Sequence, residues 1–212
     1  GVDHQSFAAA PAAGGDETLL ASMSISPGEP FVLYVGSHLQ RKNVPVLLRA
    51  MARARERLPR ISLVLVGGSR GGRSAAAEKG LAEHVEAGAV KELGHVSIEA
   101  LAALYRAASV AVLPSWYEGF GLPALEAMAC GCPTIGANTS SIPEVVGDGG
   151  LLFDPTDEGQ LADQIVHVVT DPSLARSLRQ RGLERAAGFT WARTARETSD
   201  VYAELAAAGG KS

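Results

Sequence analysis

The stretch Ser109-Val-Ala-Val-Leu-Pro114-Ser-Trp-Tyr-Glu118-Gly119-Phe120-Gly121-Leu122-Pro123-Ala-Leu-Glu126 decides how this chain is read. It opens with a short apolar run at 109–114, the pattern of a strand buried on both faces. A loop with two glycines follows, and then a helical segment over 123–131. Pro123 takes the first helical position, where a missing N–H costs nothing. A strand feeding a glycine-bearing loop and then a helix is half of a βαβ unit.

Outward from this stretch the same alternation recurs. Residues 31–36 (FVLYVG) and 61–67 (ISLVLVG) read as buried strands, 90–93 as a weaker one, and 133–137 and 150–154 as two more. Between them, 43–58 carries Val44, Leu47, Leu48, Met51 and Ala54 at helical spacing, and 74–87 and 98–107 also read as helices. Residues 9–16 read as a loop, a short helix is expected over 16–23, and Ser-Pro-Gly-Glu-Pro at 26–30 is a turn. Three helices close the chain. The first is opened by what resembles a capping box, Asp157-x-x-Gln160, the second by Asp171-Pro172, and the third by Thr190. Apolar strands alternating with amphipathic helices give one α/β domain: a Rossmann-like parallel sheet with helices on both faces.

Composition narrows the function. The 212 residues are 46% hydrophobic and 20% charged, which is ordinary globular usage. A net charge of −4 argues against a general nucleic-acid partner, which needs a basic face, but leaves room for a phosphate held by a few local cations. Arg176, Arg179 and Arg185 read as a solvated face. Cys130 and Cys132 are too few and too close for a disulfide framework and lack zinc spacing, so they read as buried free thiols in a reducing compartment. No apolar run approaches the length of a membrane span. Gly1 is not an initiator methionine, so the chain is treated as a fragment, with any targeting or anchoring segment upstream left open.

In open α/β sheets ligands bind beyond the carboxyl ends of the strands, so the loops there are where chemistry is expected. The loop after the first strand is Gly36-Ser37-His38-Leu-Gln-Arg41-Lys42-Asn43. Its two adjacent cations are placed either to hold a diphosphate through charge-assisted hydrogen bonds or simply to be solvated. In the loop before Pro123, Gly119 and Gly121 let backbone approach a ligand, and free N–H groups around 120–122 at a helix N-terminus make an anion site. Glu118 and Glu126 flank it. Carboxylates beside a phosphate make sense if they accept hydrogen bonds from hydroxyls on the same ligand. Otherwise Glu126 serves the helix dipole and Glu118 is solvent-exposed.

Gly119-x-Gly121-x-x-Ala124, with Glu144 twenty residues on, also fits the dinucleotide fingerprint, although that fingerprint expects its first glycine at a strand end. There is no Walker A sequence and no Asp-x-Asp pair to hold a metal–diphosphate complex, so neither metal nor cofactor is expected. The basic loop Gly67-Gly-Ser-Arg70-Gly-Gly-Arg73 reads as a surface loop. His95 is placed to line a base pocket and His38 to lie near the phosphates; His4, His84 and His167 read as surface or packing residues.

Taken together, Gly1-Val-Asp-x3-Phe7, Tyr34-Val-Gly36, Arg41-Lys42-Asn43, Leu93-Gly94-His95-Val96, Gly131-Cys-Pro-Thr, Ser141-Ile-Pro-Glu-Val and above all Glu118-x7-Glu126 resemble family 4 (group 1) retaining glycosyltransferases of the GT-B fold. The resemblance covers nearly the whole chain and implies its C-terminal, donor-binding half. It implies residues 1–30 as an interdomain linker with a short helix, 31–188 as the donor-binding domain, and 189–212 as a C-terminal helix packing back toward the missing N-terminal domain. The implied ligand is a nucleoside-diphosphate sugar, with Lys42 on the diphosphate, Glu126 on ribose hydroxyls and Glu118 facing the transferred sugar. The amides of Phe120, Gly121 and Leu122 would meet sugar and phosphates, and the base would pack near His95 and Val96. Many members carry Arg after the first glycine, where this chain has Ser37 beside Gly36; Arg41 is expected to supply that charge. The implied reaction is retaining sugar transfer through a front-face displacement. Its acceptor is not named, and the isolated half is expected to be inactive. A cytoplasmic location is implied, with any membrane association made through the absent half. The alternatives are another GT-B-like sugar-nucleotide enzyme (an epimerase or phosphorylase), a dinucleotide-binding module, or a catalytically dead regulatory domain.

Overall fold

The computed structural model describes residues 1–10, 15–26, 28–68 and 88–209. The helix expected over 74–87, His84, the arginines of the 67–73 loop and parts of the 9–16 loop and 26–30 turn lie outside the described residues.

Six strands form one parallel sheet: β1 (Phe31–Val35), β2 (Ser62–Val66), β3 (Val90–Gly94), β4 (Val110–Leu113), β5 (Thr134–Ala137) and β6 (Leu151–Phe153). Their order is β3-β2-β1-β4-β5-β6. Every ladder is parallel, from Leu33 opposite Val64 through Ala137 opposite Phe153. Central β1, β2 and β4 are buried almost throughout, as their unbroken apolar runs require. β3 is an edge strand, and its partial exposure accounts for its weak signal in the sequence.

The helices among the described residues are α1 (Asp16–Ser22), α2 (Val44–Arg57), α3 (Ile98–Ala107), α4 (Leu122–Ala129), α5 (Ile142–Val146), α6 (Glu158–Thr170), α7 (Pro172–Ala187) and α8 (Trp191–Gly209). The five-residue α5, over the Ile-Pro-Glu-Val of one quoted motif, is too short to show a periodicity in the sequence. The capping box is only half made. Asp157 Oδ1 accepts the Gln160 N–H at 2.8 Å, but the Gln160 side chain instead accepts the Asp154 N–H at 2.6 Å. Asp171 caps α7 as expected, accepting from the Ser173 and Leu174 N–H groups at 2.8 and 3.1 Å. These bonds, with that from the Ser173 hydroxyl, hold its carboxyl down at about 2.

The segment before β1 shares the core of the sheet through Phe7, Leu20 and Ile25. The Asp16 carboxylate clamps it to α3 by a two-pronged bond to Arg106, both contacts 2.6 Å. Cys130 and Cys132 are free and buried, with burial raising both thiols, Cys130 to about 12. Arg185 departs from the solvated face expected of it. It stacks on Phe189 at 5.0 Å and donates to the carbonyls of Glu144 and Val145, whereas Arg176 and Arg179 are exposed. No helix among the described residues is long and apolar enough to cross a membrane.

Candidate functional site

The chain leaves β1 toward β2 on one side, while β4 lies on its other side. Their loops therefore part at the carboxyl edge of the sheet and leave a crevice, the place where such sheets bind ligands. Glycines let the rim backbones draw together. A Cβ on Gly67 would lie 2.4 Å from the Gly36 carbonyl oxygen, and one on Gly36 would lie 2.8 Å from the Tyr34 hydroxyl. The Gly36 N–H donates to Val66 O and the Gly67 N–H to Gly94 O, so the ends of β1, β2 and β3 are tied in a row.

Within the crevice the Arg41-Lys42 pair splits. Arg41 keeps nearly half its side chain in solvent, but Lys42 is buried. Lys42 ends a single 3-10 turn (Gln40–Lys42), and Asn43 follows in the left-handed region with φ +52°. The Asn43 amide donates to Pro155 O at 3.0 Å. That bend turns the Lys42 ammonium inward, where it donates to Glu118 Oε1 at 2.6 Å. The same oxygen accepts the Ser115 hydroxyl at 2.6 Å, and Glu118 Oε2 lies 3.6 Å from Arg41. Glu118 is itself only 8% exposed, so plain solvation is excluded for both it and Lys42.

The β1 and β4 loops are stitched further by the Trp116 N–H donating to Arg41 O at 2.8 Å and by Arg41 Nη1 donating to Tyr117 O at 3.3 Å. Support also comes from the loop after β5, which sequence reasoning did not search. The Glu118 N–H donates to Ser140 Oγ at 3.0 Å, and the Ser141 hydroxyl reaches the carbonyls of Glu118 and Phe120 at 3.0 and 2.9 Å. Ser140 itself has φ +50°, a rare conformation that only the folded loop reveals.

Gly121, at φ +103°, is the residue before α4 and has no side chain to cap it. Leu122, not Pro123, is the first helical residue, and Pro123 is the second. Pro123 has no N–H and the Ala124 N–H donates to Gly121 O at 3.0 Å, so at the positive end of α4 it is the Leu122 N–H, with those of Phe120 and Gly121 just before it, that is placed to face the crevice. Glu126 lies one turn in, and the first turn of α4 carries no acid, so a first-turn dipole role is excluded. Its carboxylate accepts the hydroxyl of buried Tyr105 at 3.1 Å, while burial raises its pKa.

His95 is exposed and Val96 half-buried, both just past Gly94 at the β3 edge of the crevice. Ser37 is half-buried, and its carbonyl accepts the Tyr34 hydroxyl at 2.6 Å. His38 is buried, its ring 6.2 Å from that of Tyr34 and its Nδ1 3.6 Å from Glu92. The structure thus gathers Gly36, Ser37, Arg41, Lys42, Glu118 and Gly119–Leu122 around one crevice, with Glu126 on α4 and His95 and Val96 at its far edge. The dinucleotide fingerprint does not have its expected setting: Pro114–Glu118 separates the end of β4 from Gly119, and the pattern follows the fourth strand.

Fold and site together define a doubly wound Rossmann-type domain with charged groups sunk at its topological switch point. More particularly, the chain belongs to the group 1 glycosyl transferases, whose family profile matches residues 16–185. It is 38% identical over 176 residues to the O-antigen chain mannosyltransferase B of Escherichia coli, covering 81% of this chain and 45% of that protein. Sucrose-phosphate synthase from Thermosynechococcus elongatus superposes with a TM-score of 0.79 at 38% identity, over 98% of this chain and 52% of that one. The crystallised C-terminal domain of a group 1 family glycosyl transferase (LpcC) from Francisella tularensis superposes with a TM-score of 0.76 at 26% identity, over 89% of this chain and 97% of that one. The chain thus spans about half the length of the mannosyltransferase and the synthase, and nearly all of a domain that was crystallised alone.

Proposed function

We propose that this chain is the donor-binding half of a retaining glycosyltransferase, holding the diphosphate of a nucleotide sugar in the β1/β4 crevice. One observation carries the reading: a lysine and a glutamate, each 8% exposed, paired at 2.6 Å at the ligand-binding edge of the sheet. A buried ion pair rarely outperforms apolar packing as a source of stability, so its position is better accounted for by a charged ligand.

Lys42 has three N–H donors. Glu118 uses one and fixes the ammonium, leaving the others to reach phosphate oxygens. Arg41, half in solvent, and the N–H groups of Phe120, Gly121 and Leu122 at the start of α4 complete an electropositive cradle. During transfer the bond from the anomeric carbon to the diphosphate breaks with its electron pair leaving on phosphate. The cradle stabilises that charge where it develops, the largest kind of contribution such a site makes. The acceptor attacks from the same face, passing its proton to the departing diphosphate oxygen, and the anomeric configuration is kept, while Glu118 faces the sugar with its Oε2 edge. Glu126 accepts ribose hydroxyls, and the base lies by His95 and Val96. The cations and backbone dipoles supply the charge compensation, and no metal takes part.

The remainder of the enzyme is proposed to contact α8. Every side chain from Trp191 to Ala207 is exposed on this helix, with Trp191, Val201 and Leu205 each more than half in solvent. Such an apolar stripe needs a cover to hold a long helix in place. The acceptor site would lie in that other half, so the 212-residue chain binds donor but transfers nothing.

Calorimetric titration with UDP, GDP, ADP and NADH tests the reading. Saturable binding of at least one nucleoside diphosphate, weakened about tenfold or more in Lys42→Ala, is expected from the loss of a charge-assisted bond. Binding of NADH alone, or of none of the four, overturns it.

A further inference from the structure

Each glutamate of the Glu-x7-Glu motif accepts a hydroxyl from a side chain that is fully enclosed. Ser115, 0% exposed, serves Glu118, and Tyr105, 1% exposed, serves Glu126. Ser115 shares its acceptor with Lys42, so its contribution cannot be separated from the ion pair. Tyr105 is different, because it reaches Glu126 from another element, α3.

We infer that Tyr105 is a positioning residue: its phenol holds the Glu126 carboxylate in the orientation that receives the ribose diol of the nucleotide. This rests on the proposed role of Glu126 in the donor site. The Tyr105 ring has little freedom, since α3 packs it into the core and Phe7 meets it edge-on at 6.0 Å and 71°. A buried phenol seeks an acceptor, and the acceptor here is Glu126 Oε2 at 3.1 Å. A glutamate side chain has three rotatable bonds, and a free one must be immobilised when ligand arrives. Tyr105 makes that restriction part of the fold. It occupies one of about four lone-pair sites on the carboxylate and leaves the others for hydroxyl donors.

The test is a double cycle on the 212-residue chain, 89% of which superposes on the domain crystallised alone from Francisella tularensis. Wild type and Tyr105→Phe are titrated with the tightest binder among UDP, GDP and ADP, and with its 2′-deoxy and 2′,3′-dideoxy forms. Wild type should prefer the ribonucleotide by about tenfold or more, the loss expected for hydrogen bonds to a charged group. In Tyr105→Phe that preference should shrink roughly three- to tenfold, the size of one side chain's ordering cost, while affinity for the dideoxy form stays within about twofold. A purely structural effect would weaken all forms alike and leave the preference intact, which overturns the inference. A wild type that binds without preferring ribose overturns the role of Glu126 and the inference with it, as does a wild type that binds none of the three diphosphates. Should Tyr105→Phe not fold, the Tyr105 hydroxyl proton is followed by NMR in the wild type. It must shift on adding the ribonucleotide more than on adding the dideoxy form, and equal shifts overturn the inference.

Discussion

Two depressions on this molecule differ in what fills their walls. One, a groove of about 1020 Å³, lies beneath α8 and meets the crevice at Phe120 and Leu122; Phe189 and Trp191 line it together with charged residues such as Arg185 and Glu197. One wall is α8, with no buried side chain among those described, and Phe120 meets Phe189 edge-on at 6.0 Å. The other, the β1/β4 crevice, has walls stitched by backbone and side-chain bonds from three loops, and an ammonium and a carboxylate out of water at 2.6 Å. The groove is walled by exposed side chains of mixed character, the crevice by charge taken out of water.

The sharpest way to break this contrast is to remove one member of the buried pair. Lys42→Ala leaves Glu118 enclosed without its cation, which should cost about 3–5 kcal/mol of stability, read as a drop in melting temperature, besides the loss of diphosphate binding. Lys42→Met with Glu118→Gln removes both charges and should recover most of that stability without recovering binding. Recovery of both would detach the pair from the ligand.

Glu126→Gln sharpens the comparison through pH. Burial raises the Glu126 pKa, so the folded state binds its proton more tightly than the unfolded chain does. Stability from this group is therefore greatest below its unfolded pKa and is lost as pH rises through the folded one. The ionised form is the costly one to bury, a cost the proposed role explains. Glu126→Gln should gain in melting temperature on wild type as pH rises, and the difference should vanish in acid; melting curves across the range check it.

Arg41→Ala should do less. The side chain is nearly half exposed and 3.6 Å from Glu118, so a threefold or so weakening of diphosphate binding is expected, fading with added salt as exposed pairs do. Smallest of all, deleting residues 191–212 should move the melting temperature of the body by only about 2 °C and leave diphosphate affinity unchanged. Among the described residues α8 contributes no buried side chain, and its side-chain ties to the body include the Thr194 hydroxyl accepting from the Gly1 ammonium at 3.2 Å, a surface contact of the kind whose loss is generally within about 0.5 kcal/mol.

The sheet was legible because its strands are apolar on both faces and its helices amphipathic, local patterns that survive without tertiary knowledge. Lys42, Glu118 and Glu126 stood out because charges flank strand-to-helix loops rich in glycine, but adjacent cations alone read equally as solvated, and it was the resemblance that gave each residue a role. What sequence did not reveal is what reaches the site from afar. Ser140 and Ser141 bind the Glu118–Phe120 backbone across about twenty residues, and Tyr105 reaches Glu126 from the preceding helix. Serine in a turn and tyrosine on a helix are ordinary there, and only the fold shows what each touches. The apparent capping box failed for a similar reason: Gln160 found a nearer donor in the Asp154 N–H.

A crystal structure of the chain with its tightest-binding nucleoside diphosphate tests the assignment most directly. The diphosphate should sit in the β1/β4 crevice within hydrogen-bond reach of Lys42 Nζ and the N–H groups of Gly121 and Leu122, with the ribose hydroxyls on Glu126. A nucleotide bound in the groove beneath α8, or in the crevice with its phosphates turned away from Lys42, would contradict it.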